Sequence, residues 1–445
     1  LFLILRFNTL LFGIFSVILM LYIARKYYKL NTALMAFIFT INPLFIILSG
    51  YFKYDIALLF WILLSCLFLL KFSKDKSISS LFLGWLFAGL SFATKLSAIP
   101  LVLVFLISSF IFLNSKNRLK NISIGLFIYL ITFLIFGIPD LILGKGNIAE
   151  YLQSNLVRTP SEVSFNYLLG MHYLPFLILR IYPVTFGHIF YFIFLASAAV
   201  FAFHFLKNKI FYKILLKEFR IKNANYIILF LFLIFFIISL YPLKFGANAN
   251  RLLVLLPFIS IITVLFLNSI HDRLKKTTLK IIFGLFMMIF VFLQSYESFS
   301  WITIRLYSDP RVEASPWIQN NLPKNTVIGI ENIPIYQLLP DLVVKEFYLH
   351  QYDKDTNNRF GYEIINSKSA KLSKTIVLSN DEIESKYVKK SDKKDLANRL
   401  KRENYKKIAE FKPNFKYFKL INNEFDFYIS GFVIRPSNVT VYIKK

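Results

Sequence analysis

Runs of 17 or more largely uncharged, apolar residues recur along the first 295 positions of this chain, and a soluble core cannot absorb so many of them. A backbone that enters hydrocarbon must satisfy its own N–H and C=O groups, so each run is expected to be a helix. With 56% of its 445 residues hydrophobic and 18% aromatic, the chain reads as an integral membrane protein. About ten spans are expected, near 8–24, 32–49, 56–72, 80–94, 98–114, 121–138, 185–205, 225–242, 252–269 and 278–295. Two of them, 80–94 and 98–114, are short and meet tightly at Lys95, so they can also form one bent hairpin.

A formal charge of +27 invites a nucleic-acid partner, but its distribution argues otherwise. Residues 1–294 hold 27 Lys and Arg against 7 Asp and Glu, whereas residues 295–445 hold 25 against 18. The excess lies between the apolar runs, where basic residues fix topology. Clusters at 25–29, 71–76, 116–120, 207–222 and 271–276 fall on alternate connections and, with Lys280, hold 19 of the 27. That side is assigned to the cytoplasm. The opposite side carries Arg6, Lys53, Lys95, Lys145, Arg158, Arg180, Lys244 and Arg251. The sequence starts at Leu1 within an apolar run, so an earlier span and outer loop are expected upstream. The single cysteine, Cys66, rules out a disulfide framework within the chain.

After about residue 296 charge rises and the apolar runs shorten. A helix is expected over 311–321, stopped by Pro323, then strands at 326–331, 374–379 and 439–444, with a helix over 391–404 between the last two. The alternation points to a small α/β domain over 296–445, following a transmembrane domain over 1–295. An even number of crossings from an outer start leaves that domain outside the cytoplasm.

Asp55 is the only acidic residue among the first 74 and opens the third apolar run, in "SGYFKYDIALLFWILL". A carboxylate there meets the positive end of a helix dipole, a stabilisation of about 0.3–1 kcal/mol. Ionisable groups in membrane segments are costly and mostly functional, which is the sharper reading. Some 40 residues later, "LGWLFAGLSFATKLSAIP" gives a helix rich in small residues, with Gly84, Ala88 and Gly89, ending in Thr94-Lys95. Lys95 can simply extend its ammonium toward headgroups. Alternatively it supplies a fixed cation for a phosphate at the membrane surface.

These stretches together resemble the GT-C type glycosyltransferases, and among them the family of dolichyl-phosphate-mannose protein mannosyltransferases and aminoarabinose transferases. The resemblance rests on "ARKYYKLNTALMAFIFTINPLFIILSGYFKYD", on "GLSFATKLSAIP" and on "ANRLLVLLPFISIITVL", in that order and spacing. "DPRVEASPWIQNNLP" is similar to the start of the outer domain in many members. The family's leading catalytic acid would lie in the loop expected upstream of Leu1, and its Tyr after the late Arg is Leu252 here. The resemblance implies a polytopic α-helical, GT-C-like bundle with a C-terminal extracytoplasmic α/β domain. It also implies transfer of a sugar from a polyprenyl-phosphate carrier to a lipid, glycan or protein hydroxyl at the outer face, with inversion.

Asp55 is then a catalytic residue in a supporting role. Lys95, Arg251, Lys244 and Lys53 are the candidates for the donor phosphate, Arg251 favoured for its forked guanidinium. His172 and Asp140, in the outer loop 139–180, are candidates on the acceptor side. No metal-ligand spacing occurs, so no cofactor is indicated, although an upstream loop leaves room for a divalent metal. The competing readings are a transporter or flippase of lipid-linked glycans and an outer-face polymerase or ligase. A transporter would carry its charges near the bilayer midplane on broken helices.

Overall fold

The computed structural model describes residues 2–49, 54–113, 115–139, 182–207, 224–240, 249–306, 310–330, 360–366, 368–380, 392–412 and 438–444. These fall into two compact units that meet in sequence between Trp301 and Ile302.

The first unit is helical. Its elements are α1 (Phe2–Tyr28), α2 (Thr32–Thr40), α3 (Pro43–Ser49), α4 (Asp55–Asp75), α5 (Ile78–Thr94), α6 (Pro100–Phe112) and α7 (Arg118–Gly137). Then come α8 (Tyr182–Phe186), α9 (His188–Lys207), α10 (Ala224–Leu240), α11 (Leu256–Arg273) and α12 (Thr277–Leu306). Short 3-10 turns at Leu96–Ala98 and Ala249–Leu255 lead into α6 and α11.

Every expected apolar run contains a helix, and among the described residues five are long and apolar enough to cross a bilayer unaided: Arg6–Tyr28, Asp55–Asp75, Arg118–Gly137, Leu252–Arg273 and Thr277–Phe299. The span expected over 32–49 is instead the pair α2 and α3, bent by 65°. The break has a local cause. Pro43 cannot donate to the preceding turn, and the Asn42 side chain takes the Leu44 N–H at 3.1 Å instead. Ile78–Thr94, Leu96–Phe112, His188–Val200 and Ala224–Phe235 are shorter apolar helices.

Ends that carry the basic clusters meet one another. Tyr28, closing α1, donates to the Asn225 carbonyl at the start of α10 (2.9 Å), and Asn225 Nδ2 returns a bond to the Tyr27 carbonyl (2.7 Å). Lys76, after α4, lies 4.7 Å from the ring centroid of Phe112 at the end of α6.

Close packing in this unit depends on small residues. A Cβ at Gly125 of α7 would overlap the fully buried Trp85 indole of α5. One at Gly89 would stand 2.8 Å from the Tyr129 carbonyl oxygen. The α5–α7 contact is thus backbone against ring and backbone against carbonyl. By contrast, Ile281, Ile282, Met288, Ile289 and Phe292 of α12 are exposed, an apolar surface suited to lipid.

The second unit contains α13 (Pro310–Asn321), β1 (Val327–Ile330), β2 (Gly361–Ile364), β3 (Thr375–Asn380), α14 (Asp392–Arg402), β4 (Tyr405–Phe411) and β5 (Asn438–Lys444). The sheet order is β2-β1-β3-β5-β4. Strands β2 and β3 run parallel to β1, and β5 runs antiparallel to both β3 and β4. Side chains alternate across a strand. On one face Ile328, Ile330, Val377, Val439 and Val441 pack on Ala314 and Ile318 of α13. On the other, Ile376 and Leu378 pack on Leu396 and Leu400, one turn apart on α14. The result is an α/β layer built around two apolar faces of one sheet.

Candidate functional site

Only Lys76 and Ser77 separate α4 from α5, so the two helices run back on each other as a hairpin. Ser77 caps the return by accepting from the Ser80 N–H. A hairpin of this kind places the first turn of α4 beside the last turn of α5. Asp55 opens α4, at the positive end of its dipole, and Lys95 follows α5, at the negative end. Each ion sits at the helix end that favours it. The two meet: Lys95 Nζ donates to Asp55 Oδ1 at 2.6 Å.

The pair is asymmetric in exposure. The Asp55 side chain is 3% exposed and that of Lys95 18%. The carboxylate is therefore enclosed and held by its partner, while the ammonium, with three donors, reaches the surface of the unit. Lys95 Nζ also stands 5.0 Å from the centroid of the Tyr54 ring, a cation–π contact that keeps the head over the start of α4. Helix α5 stops here because Lys95 turns extended (φ −162°) and the chain enters a 3-10 turn before Pro100.

The remaining sequence candidates divide clearly. The turn Ala249–Leu255, which carries Arg251, packs against α3 and α4. The Arg251 side chain, Lys53, Lys244, His172 and Asp140 lie outside the described residues. Leu252 is buried, 4% exposed, in apolar packing that its residue type suits. Among the described residues no group of three or more His, Cys, Asp or Glu side chains is arranged to hold a metal.

A second polar cluster was not anticipated from sequence. His188, the first residue of α9, presents its ring Nδ1 to Glu297 Oε1 of α12 at 2.8 Å, and its backbone N–H donates to Glu297 Oε2 at 3.0 Å. Three residues earlier on α12, Gln294 donates to the Phe186 carbonyl at 3.2 Å. The same carbonyl accepts from Asn42 Nδ2 at 2.9 Å, and Ser298 donates to the Ile41 carbonyl. Two helix breaks, at 41–42 and at 187, are thus tied to one face of α12. Gly187 makes the second break possible: its φ is +90°, and a Cβ there would overlap the Gln294 amide. The available signal was an acid and an imidazole, each bordering an apolar run, but nothing in their spacing of 109 residues pairs them.

Residues 2–142 match the family model described as dolichyl-phosphate-mannose-protein mannosyltransferase. Over this stretch the chain is similar to the GT-C glycosyltransferases. The mannosyltransferase match covers α1 to α7 and includes both Asp55 and Lys95. The late motif at 249–265 and the α/β unit lie beyond it. No curated protein matches the chain. Three of the helices long and apolar enough to cross a membrane, Arg6–Tyr28, Asp55–Asp75 and Arg118–Gly137, lie within the matched residues.

Proposed function

We propose that the chain transfers a sugar from a polyprenyl-phosphate carrier to an acceptor hydroxyl at the outer face of the membrane, with inversion at the anomeric carbon. The observation that carries this reading is the Asp55–Lys95 pair at one end of the α4–α5 hairpin, inside the segment that matches a mannosyltransferase family. A donor with a polyprenyl tail stays in the bilayer, so its phosphate must be met at the boundary between hydrocarbon and water. The leaving group gains negative charge as the glycosidic bond breaks, and a preoriented cation lowers that barrier by several kcal/mol.

In this reading Lys95 contacts the donor phosphate and Asp55 is the residue that positions it. One ammonium proton is committed to the carboxylate, and the others remain for phosphate oxygens. This assigns Asp55 a holding role, since its carboxylate is enclosed and already engaged. Arg251, on a turn packed against α3 and α4, is a second phosphate ligand in the proposal. Lys244, Lys53, His172 and Asp140 keep the donor-side and acceptor-side roles expected from sequence. The α/β unit is assigned to the extracytoplasmic side by the alternation of basic connections.

The broken pair α2 and α3 and the buried His188–Glu297 pair are features that a lipid-linked glycan transporter would also use. One experiment separates the readings. Membranes containing the protein are supplied with radiolabelled polyprenyl-phosphate sugar, and both released carrier phosphate and glycosylated acceptor are followed. Transfer by the wild type, reduced about 100-fold or more in Lys95→Ala, supports the transferase. Translocation of intact donor without release, or wild-type turnover in both Lys95→Ala and Asp55→Asn, overturns it. Protease access to a C-terminal tag in sealed, right-side-out vesicles tests the orientation.

A further inference from the structure

We propose that His188 Nε2 takes the proton of the acceptor hydroxyl, an assignment that rests on the glycosyltransferase reading above. The argument starts from Glu297. Its Oε2 accepts the His188 backbone N–H, at the positive end of the 20-residue helix α9, and its Oε1 faces His188 Nδ1 at 2.8 Å. With the backbone N–H on Oε2, the Oε1 contact is completed by a proton on Nδ1 donated to a carboxylate oxygen. The imidazole is thereby fixed as the tautomer with its lone pair on Nε2, the arrangement in which a carboxylate-backed histidine acts as a base.

Three further facts favour a ligand-facing role over a purely packed one. Nε2 has no hydrogen-bond partner among the described residues, and the His188 side chain is 10% exposed where Glu297 is 3%. Gln294, one turn from Glu297 on α12 and 1% exposed, has a buried Oε1 that also has no partner. Gln294 and His188 both belong to the cluster joined through Glu297 and the Phe186 carbonyl, and an acceptor atom on each can receive hydroxyl groups: one from a sugar or acceptor O–H, the other the proton that moves. Finally, Asn42 ties this cluster to the start of α3, and α3 leads to the linker before Asp55. Helix α3 also packs against α4, which Asp55 opens.

The step balances. The acceptor oxygen forms a bond to the anomeric carbon as the bond from that carbon to the phosphate oxygen breaks. The bonding pair leaves with polyprenyl phosphate, and the hydroxyl proton passes to Nε2. The resulting imidazolium is neutralised by Glu297 until the proton is lost to water.

The test uses full-length protein purified in detergent, with turnover expressed per folded molecule after gel filtration. His188→Gln keeps an amide donor for Glu297 but has no basic nitrogen. Its kcat is expected to fall about 100-fold or more with the donor KM unchanged, the usual range for a lost general base. His188→Ala is expected to regain turnover when imidazole is added, which a packing role would not produce. Wild-type kcat in His188→Gln, or no response of His188→Ala to imidazole, overturns the assignment. If Lys95→Ala and Asp55→Asn lose turnover in the same assay while His188→Gln keeps it, this inference fails and the transferase reading stands.

Discussion

Asp55 and Lys95 stand 40 residues apart in sequence and 2.6 Å apart in space, each on the helix end whose dipole favours its charge. Neither ion is independent of the other. Removing the lysine strands a carboxylate that is 3% exposed, and an unpaired buried charge costs about 3–5 kcal/mol. Lys95→Met is therefore expected to lower stability by that order, and Asp55→Asn by less because the ammonium reaches the surface. The double variant Asp55→Asn/Lys95→Met should recover much of the loss. Unfolding midpoints of the three proteins in one detergent check this, and strictly additive losses would contradict the pairing.

Gly125 has no room for a side chain. Trp85 is fully buried, and a Cβ at Gly125 would overlap its indole. Gly125→Ala is expected to destabilise by about 1–3 kcal/mol, the cost of overpacking a filled core. Thermal unfolding followed by tryptophan fluorescence measures it, and Trp85→Leu in the same background should return part of the loss.

Gly187 faces a double constraint, a left-handed backbone and the Gln294 amide. Gly187→Ala is expected to cost about 1–3 kcal/mol from backbone strain alone. Gln294→Ala relieves only the overlap, so the pair of changes should stay less stable than Gln294→Ala by itself. A melting series of the two singles and the double decides the point.

In the α/β unit, Glu403 accepts from Arg399 (2.6 Å) and Lys444 (3.1 Å), and these hydrogen bonds hold its carboxyl below the ordinary value. A lowered folded-state value means that the stabilisation is present above the unfolded-state value and is lost as pH falls through the folded one. The difference in melting temperature between wild type and Glu403→Gln is thus expected to shrink between about pH 6 and pH 3. A difference that grows on acidification would reverse the assignment.

The helices and the three strands expected in the α/β unit are found, because they rest on local signals, whereas β2 (Gly361–Ile364) and β4 (Tyr405–Phe411) were not expected. The strand expected at 439–444 is Asn438–Lys444, and the helix expected over 391–404 is Asp392–Arg402. The bend at Asn42-Pro43 was missed, although Asn-Pro inside an apolar run is itself a breaker. Asp55 and Lys95 were singled out for separate roles. Their contact was available from the two-residue turn at Lys76 and Ser77, which makes a hairpin with its open ends together. The His188–Glu297 pair was not available, because it joins helices whose neighbourhood is set by packing rather than by connection length.

Among the described residues strand β4 pairs only with β5, and β5 also closes the edge of β3. A nascent chain that has emerged as far as Phe411 therefore holds the three paired strands β2-β1-β3 and an unpaired β4, with the β3 and β4 edges that β5 covers open to any passing strand. A product terminated before Asn438 would keep both edges, so shortened forms of this protein should be cleared or aggregate even with every transmembrane helix intact.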